Sequence, residues 1–438
     1  MSSAAPRLLS TFEELVGAEL PIHVRCWDGS EAGPPDSPAR VFFRNRTALR
    51  RVLWSPGELG LARAFVAGDL EVDGDIFALL DVPDLISRIG EHRIRAMTPG
   101  TIRRAAVSLI RLGALGPPPK PPAVEIRRRR GPLHSRSRDS AAVSHHYDVG
   151  NEFYRLFLEG CMVYSCAYWD DDVADLEAAQ IAKCDLVCRK LDLRPGMRLL
   201  DVGCGWGTMA IHAAKTYGVD VVGVSLSQEQ IELAKSRVAE AGLTDRVEIR
   251  LQDYRDVDDG PYDAISSIGM SEHVGLSQLP TYANILHGLL TPGGRVLNHA
   301  IARVTALPAT PKPSATFIDR YVFPDGEILP LSKTVDAMEH SGLEVRDSEA
   351  LREHYALTLR AWVANLLQSW DRAVELVGAQ RARTWLLYLA ASALGFEDAH
   401  RLTIHQVLAV RPRDDGTAGL PRTRRGWYRP QTNGQLPQ

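Results

Sequence analysis

The stretch RLLDVGCGWGTMAIHAAK constrains this chain more than any other. A short apolar run ends in Asp201, passes through Gly203, Gly205 and Gly207 at alternate positions, and opens at once into a helical pattern. Glycine there lets the backbone turn tightly and lets a ligand approach it closely. Glycine also serves plain tight turns, so the surrounding pattern has to decide. The spacing is Asp-x-Gly-x-Gly-x-Gly rather than the dinucleotide G-x-G-x-x-G, which favours S-adenosylmethionine over a nicotinamide cofactor. In open sheets of this kind the ligand lies outside the carboxyl ends of the strands.

The pattern around the turn supports a sheet. After RLLDVG come VDVVGVSL, VEIRLQD, YDAISSIG and GGRVLNHAIA as strands, with helical runs after the first two. GLEVRDSEAL and RLTIHQVLAVRP read as two later strands, with the helices of HYALTLRAWVANLLQSWDRAVELVG between them. Alternation of this kind predicts an α/β fold with a mostly parallel, doubly wound sheet. Residues 140–411 are expected to form this domain. Residues 1–115 form a smaller first unit, with strands at IHVRCW and ARVFFRN and with short helices and turns through GELGLARAFVAGDLEVDGD. Residues 116–139 read as a Pro/Arg-rich linker, and residues 412–438 as a flexible tail.

Composition narrows the function. Fifty-one basic against fifty-four acidic residues give a net charge of −3, which excludes a generically basic nucleic-acid binder. The linker departs from that balance: Lys120, Arg127, Arg128, Arg129, Arg130, Arg136 and Arg138 face one acid, Glu125. Such a segment is either a solvated connector or a contact for an anionic surface. No run of eighteen apolar residues occurs and the N-terminus lacks an apolar signal core, so a cytoplasmic setting is expected. Six cysteines do not make a disulfide scaffold, and Cys184 and Cys188, on one face of a predicted helix, read as small apolar residues rather than metal ligands.

Residues for a cofactor cleft recur at the strand ends. The second strand ends at Ser225 with no acid at once following, leaving Ser225 and Gln230 as polar groups. After the third strand, Asp253 and Tyr254 are placed to meet an adenine. Before the sheet, SHHYDVGNEFYRLFLEGCMVYSCAYWDDD gathers Ser144, His145, His146, Tyr147 and Asp148, then Tyr164, Ser165, Cys166, Tyr168 and Trp169. Adjacent histidines on a strand point opposite ways, so no metal is expected. Aromatic faces attract cations and suit a site that handles a sulfonium or creates a carbocation.

SHHYDVGNEFYRLFL, MVYSCAYW, DVGCGWG, GVSLSQEQ, SEHVG and IDRYVFPDGEILP, in this order, resemble the cyclopropane-fatty-acyl-phospholipid synthase family. They are similar also to the mycolic-acid cyclopropane synthases and to actinobacterial enzymes that make methylene- and methyl-branched stearoyl chains. The resemblance covers about residues 140–411, and the first domain and linker resemble the longer, phospholipid-acting members. It implies a class I methyltransferase fold and S-adenosylmethionine-dependent attack on an acyl-chain cis double bond, with the resulting cation deprotonated by bound bicarbonate. The family's bicarbonate set falls on Cys166, Glu272, His299, Ile301 and Tyr355. Its cofactor set falls on Tyr164, Ser165, Gly203, Gly205, Ser225, Gln230 and Tyr254, to which the glycine turn adds Gly207 and the third strand Asp253. One departure is Ser271, where many members carry Phe before the Glu. The product is a cyclopropane or a methylene branch, the latter implying a partner reductase. The resemblance also implies that the first domain docks on the membrane, peripherally at its inner face; the Arg-rich linker points to anionic phospholipid, and a homodimer is expected because two linked basic surfaces bind a bilayer more tightly than one. Two other classes compete: a non-catalytic lipid-binding protein on this fold, and a nucleic-acid methyltransferase, which would need an Asn-Pro-Pro-Tyr or catalytic Pro-Cys motif that the chain lacks.

Overall fold

A computed structural model describes residues 3–16, 19–55, 57–80, 99–126, 135–136, 138, 149–304, 316–324, 326–398 and 401–428. The chain divides into two compact units, and they do not follow the boundaries at 115 and 139. The first comprises Met1–Arg128, Pro311–Pro324 and Leu366–Leu394; the second comprises Arg129–Thr310, Asp325–Asn365 and Gly395–Gln438. Two segments within the expected methyltransferase span thus belong to the first unit.

In the first unit, β1 (His23–Cys26), β2 (Glu31–Ala32), β3 (Ala39–Phe43) and β4 (Leu70–Gly74) form a sheet in the order β2-β1-β3-β4. Strand β4 corrects the expectation of helices and turns there. It is only five residues long between Gly68 and Gly74, too short for its alternation to declare itself. The helices Ala4–Val16 and Pro99–Arg111 pack together, and Thr11 Oγ1 and Ser108 Oγ share a hydrogen bond of 2.7 Å.

Residues 116–126 are no free linker. A proline-rich backbone leaves its carbonyls unpaired within the segment, and side chains of the first unit take them. Trp54 Nε1 donates to Gly116 O (3.0 Å) and Arg51 Nη1 to Lys120 O (2.7 Å). Glu125 accepts two hydrogen bonds from Arg63 (2.7 and 2.6 Å) and one from the Tyr321 hydroxyl (2.9 Å). The Arg127–Arg130 run and the Ser144–Asp148 cluster lie outside the described residues. The segments that return to this unit are tied to it by polar contacts, Phe317 N–H to Glu58 (3.2 Å) and Arg383 Nη2 to Glu71 (2.9 Å), and Phe323 of one meets Tyr388 of the other edge-on at 5.7 Å.

The second unit carries a seven-stranded sheet built from β5 (Arg198–Val202), β6 (Asp220–Ser225), β7 (Val247–Leu251), β8 (Tyr262–Ile268), β9 (Leu290–Arg303), β10 (Glu344–Ala350) and β11 (Leu402–Val410). Its order is β10-β11-β9-β8-β5-β6-β7. The strands β7, β6, β5, β8 and β9 run parallel, and β11 is antiparallel to both β9 and β10. The central strands are nearly continuous apolar runs because helices cover both faces. The helices Leu176–Leu191, Thr208–Tyr217 and Gln228–Glu240 contribute to one apolar cluster, in which Cys184 and Cys188 are fully buried; Leu279–Leu289 and Leu331–His340 contribute to another. Chain order reverses beside β5, whose neighbours are β6 and β8, and that switch point is where an open α/β sheet leaves a crevice.

The tail corrects the sequence reading as far as residue 428. Trp427, in the turn of helix Arg425–Tyr428, is buried in the same cluster as Cys184, and Leu420 packs against it. Gly419 O accepts from Arg295 Nη2 (3.1 Å), and Arg424 pairs with Asp347.

Candidate active site

At the end of β5, Gly203, Gly205 and Gly207 all take positive φ (78°, 53° and 81°), a conformation that side chains resist. A Cβ on Gly203 would lie 2.5 Å from Met270 Sδ, so glycine is what lets β5 and the segment after β8 close on each other. The turn opens a cavity walled by Tyr164, Ser165, Gly203, Gly205, Ser225, Gln230 and Tyr254, seven of the nine residues anticipated for the cofactor.

The other two have different work. A Cβ on Gly207 would meet Ala234 Cβ at 3.3 Å, so this glycine lets helices Thr208–Tyr217 and Gln228–Glu240 approach. Asp253 does not line the cavity. Its carboxylate takes Arg255 Nε (2.8 Å) and Nη2 (2.6 Å) and caps the turn Tyr254–Asp256. Burial opposes its charge, but the Arg255 guanidinium holds the carboxyl below its usual range. Arg255 itself lines the cavity.

The remaining wall residues are fixed by short-range contacts. Ser225 Oγ donates to Gln230 Oε1 at 2.9 Å, and Ser227 caps the helix that carries Gln230. Tyr254 meets Tyr282 edge-on at 5.6 Å. Tyr164 lies 5.3 Å from the Trp362 ring and 5.6 Å from Tyr154, within a cluster of rings. The Ser165 carbonyl accepts from Gln180 Nε2 (2.8 Å), and its hydroxyl accepts from Lys183 Nζ (3.1 Å). Lys183 and Asp201 also line the cavity and were not anticipated. The signal for Lys183 was a charge on the inward face of its helix, in step with Leu176, Ala179 and Gln180.

Of the five residues assigned to the base site, Cys166, His299 and Tyr355 are buried and Glu272 and Ile301 half-buried, and a chain of mostly backbone hydrogen bonds links them. Alternation along β9 puts His299 and Ile301 on one face. Ile301 N–H donates to Glu272 Oε1 at 2.7 Å. Ile301 also pairs with Ile404 across β11, and Ile404 O accepts from Leu351 N–H (2.9 Å). Leu351 O in turn receives Tyr355 N–H (3.1 Å) and lies 3.7 Å from Cys166 Sγ. The cavity touches this cluster at two points. Gly269, a wall residue, donates to His299 O (2.8 Å), and Cys166 follows Tyr164 and Ser165 directly.

Burial disfavours charge on each titratable group of the cluster. Burial lifts Glu272 from 4.5 to about 7. Burial, then the positive charges of Lys183 and Lys190, then His405, push His299 well below its usual range, so its ring is uncharged. Burial also raises Cys166, which stays a thiol and donates to Ala167 O (3.2 Å). Among the described residues, Glu272 Oε2 and both ring nitrogens of His299 have no hydrogen-bond partner.

Residues 134–407 match the family model for mycolic acid cyclopropane synthetase. The chain belongs to this family. It is 41% identical to a probable fatty acid methyltransferase of Mycobacterium tuberculosis over 94% of this chain and 95% of that one. It is 33% identical to the cyclopropane-fatty-acyl-phospholipid synthase of Escherichia coli over 87% and 90%. The mycolic acid cyclopropane synthase CmaA1, solved with SAH and CTAB, superposes with a TM-score of 0.58 at 33% identity, covering 62% of this chain and 97% of that one. This protein is therefore an S-adenosylmethionine-dependent methyltransferase, with the α/β fold that the strand pattern predicted.

Proposed function

We propose that this enzyme transfers a one-carbon unit from S-adenosylmethionine to the cis double bond of an unsaturated phospholipid acyl chain, such as oleoyl. The product is a cyclopropane or a methylene-branched chain. The observation that carries this reading is the polar cluster beside the cofactor cavity, in which Glu272 Oε2 and both His299 nitrogens are buried and unpartnered among the described residues. Methylating an alkene leaves a cation on the chain, and the proton it sheds needs a weak base where water is excluded. Buried polar groups need partners, and a small oxyanion could accept from protonated Glu272 Oε2 and from the single N–H of the neutral His299 ring. Bicarbonate bound there would supply the base. Glu272, near neutrality, can donate a proton toward an anion; the His299 ring and the Cys166 thiol can each donate as well. Ile301 acts through Glu272, because its amide is already committed to that carboxyl. Tyr355, packed at 4.6 Å from Phe396, closes the apolar side of the cluster.

The test is incubation of the purified protein with S-adenosylmethionine and oleoyl vesicles, followed by proton NMR of the released chains, since the two products have equal mass. Upfield ring protons identify a cyclopropane. Vinylidene protons identify a methylene branch and imply a reductase acting next. The absence of both signals would overturn the reading.

The substrate class places the enzyme at a membrane surface, although among the described residues no helix is long and apolar enough to cross one. We propose that the first unit makes this contact. Arg7, Arg103, Arg104 and Arg111 line one recess with Val107 and Ser108. Helix Pro99–Arg111 contains no acid, and Val107 and Ile110 are 42% and 49% exposed. Arginines beside exposed aliphatic side chains suit the headgroup region of an anionic bilayer.

A further inference from the structure

Beside the base cluster, a buried lysine holds one end of an amide whose other end has no partner. Lys190 and Gln406 are both fully buried. Lys190 Nζ pairs with Glu349 and donates to Gln406 Oε1 at 2.8 Å. An ammonium has three donors and no acceptor, so the atom it touches has to be the amide oxygen. That contact fixes which way the amide points. Gln406 Nε2, the donor end, is thereby turned away from Lys190, and among the described residues it has no hydrogen-bond partner.

The neighbour across the sheet is His299. The two residues are register partners on β11 and β9, which puts their side chains on one face. His299 O accepts from Gly269 N–H, so the backbone groups of His299 face β8 rather than β11. The pair is thus of the non-hydrogen-bonded kind, in which opposed side chains lie closest. An uncharged imidazole carries one N–H and one lone pair. The N–H can serve an oxyanion. The lone pair then needs a donor, and Gln406 Nε2 is a buried donor that needs an acceptor.

We infer that Gln406 is a positioning residue: its Nε2 donates to one ring nitrogen of His299, so that the ring hydrogen sits on the other nitrogen and points at the oxyanion. This rests on the bicarbonate reading and deepens it. A turn of the His299 ring about its last torsion closes the contact, and Lys190 acts one step further back by holding the amide oxygen. A partner on one ring nitrogen decides which nitrogen carries the hydrogen. A glutamate in place of Gln406 would do the opposite. It would accept rather than donate, and would draw the ring hydrogen away from the anion.

The experiment is nitrogen-15 NMR of the histidine-labelled full chain in bicarbonate buffer, with turnover measured at graded bicarbonate. His299 is assigned by the signal lost in His299→Gln. In the unaltered protein its ring should be a single neutral tautomer. Gln406→Met keeps the shape without the amide. There both tautomers should appear, and the bicarbonate concentration for half-maximal turnover should rise about tenfold, the worth of one hydrogen bond. The dependence on S-adenosylmethionine should not move. In Gln406→Glu the opposite tautomer, or a doubly protonated ring, should replace the original one. A purely structural role would lower stability and leave the tautomer alone. One tautomer kept through both Gln406 variants would overturn the inference. So would a mixture in the unaltered protein, a result that needs no variant to fold. Turnover of the unaltered protein that ignores bicarbonate would instead sink the base reading, and with it any part of Gln406 in the reaction.

Discussion

Glu272 is a carboxyl held between two states by its surroundings. Its Oε1 is fixed by Ile301 N–H, while burial lifts it from 4.5 to about 7. In Glu272→Gln the amide oxygen can keep the Ile301 hydrogen bond, but the side chain can neither gain nor lose a proton. Turnover should fall by about 10²- to 10⁴-fold, the usual worth of a placed acid or base, with S-adenosylhomocysteine affinity unchanged by calorimetry. The same substitution has a pH signature. A carboxyl raised in the fold contributes stability that is fully present below the ordinary 4.5 and is lost as pH rises through about 7. Relative to the unaltered protein, Glu272→Gln should therefore gain up to about 3 kcal/mol between pH 4 and pH 8, read from urea midpoints. A pH-independent difference would show that the carboxyl is not strained by burial. At this scale, what could be read in the sequence depended on how near the deciding partner lay. Tyr164, Ser165, Ser225, Gln230 and Tyr254 sit in compact motifs and do line the cavity. Asp253 does not line the cavity, because its carboxylate is taken by Arg255, two residues away in QDYRD. Lys183 and Asp201 could not be placed in that cavity from sequence, because it exists only once helix and strand are packed.

Among the elements, the parallel strands declared themselves through long apolar runs, and each lies where expected. Short or composite elements did not. Strand β4 hid between two glycines, and helix Ala379–Glu397 went unassigned because its apolar residues run on all sides rather than along a stripe. The tail misled for a third reason. Its proline, glycine and arginine content reads as coil, whereas its attachment rests on single side chains far apart in sequence. Trp427, 6% exposed, packs into the core beside helix Leu176–Leu191, and Arg424 meets Asp347. Trp427→Ala should accordingly destabilise the second unit by about 3–5 kcal/mol, as expected for losing a buried aromatic side chain. Thermal unfolding followed by near-ultraviolet dichroism would register this as a lowered midpoint. An unmoved midpoint would mean that the tail is not bound to the sheet domain in solution.

For the molecule as a whole, the net charge of −3 works against an anionic bilayer, so any attraction has to be local. The recess lined by Arg7, Arg103, Arg104 and Arg111 is the proposed source of it. Glu14 takes up part of Arg104 (2.8 Å), but among the described residues the other three form no ion pair. Each arginine near an anionic surface is worth about 1 kcal/mol, and Val107 and Ile110 add apolar contact that salt does not screen. Binding to vesicles should thus have two components. One needs anionic lipid and weakens as salt shortens the screening length toward about 8 Å; the other persists. Reversing two charges, Arg103→Glu with Arg111→Glu, should reduce co-sedimentation with anionic vesicles at least about tenfold and slow turnover on them. Affinity for S-adenosylhomocysteine should not change, because the cofactor cavity is walled entirely by residues of the second unit. Equal binding of the double variant, or salt-indifferent binding of the unaltered protein to neutral vesicles, would shift the lipid contact to another surface. The distinction matters for catalysis, since an enzyme whose substrate is a bilayer component sets its working concentration by where it docks before any chemistry begins.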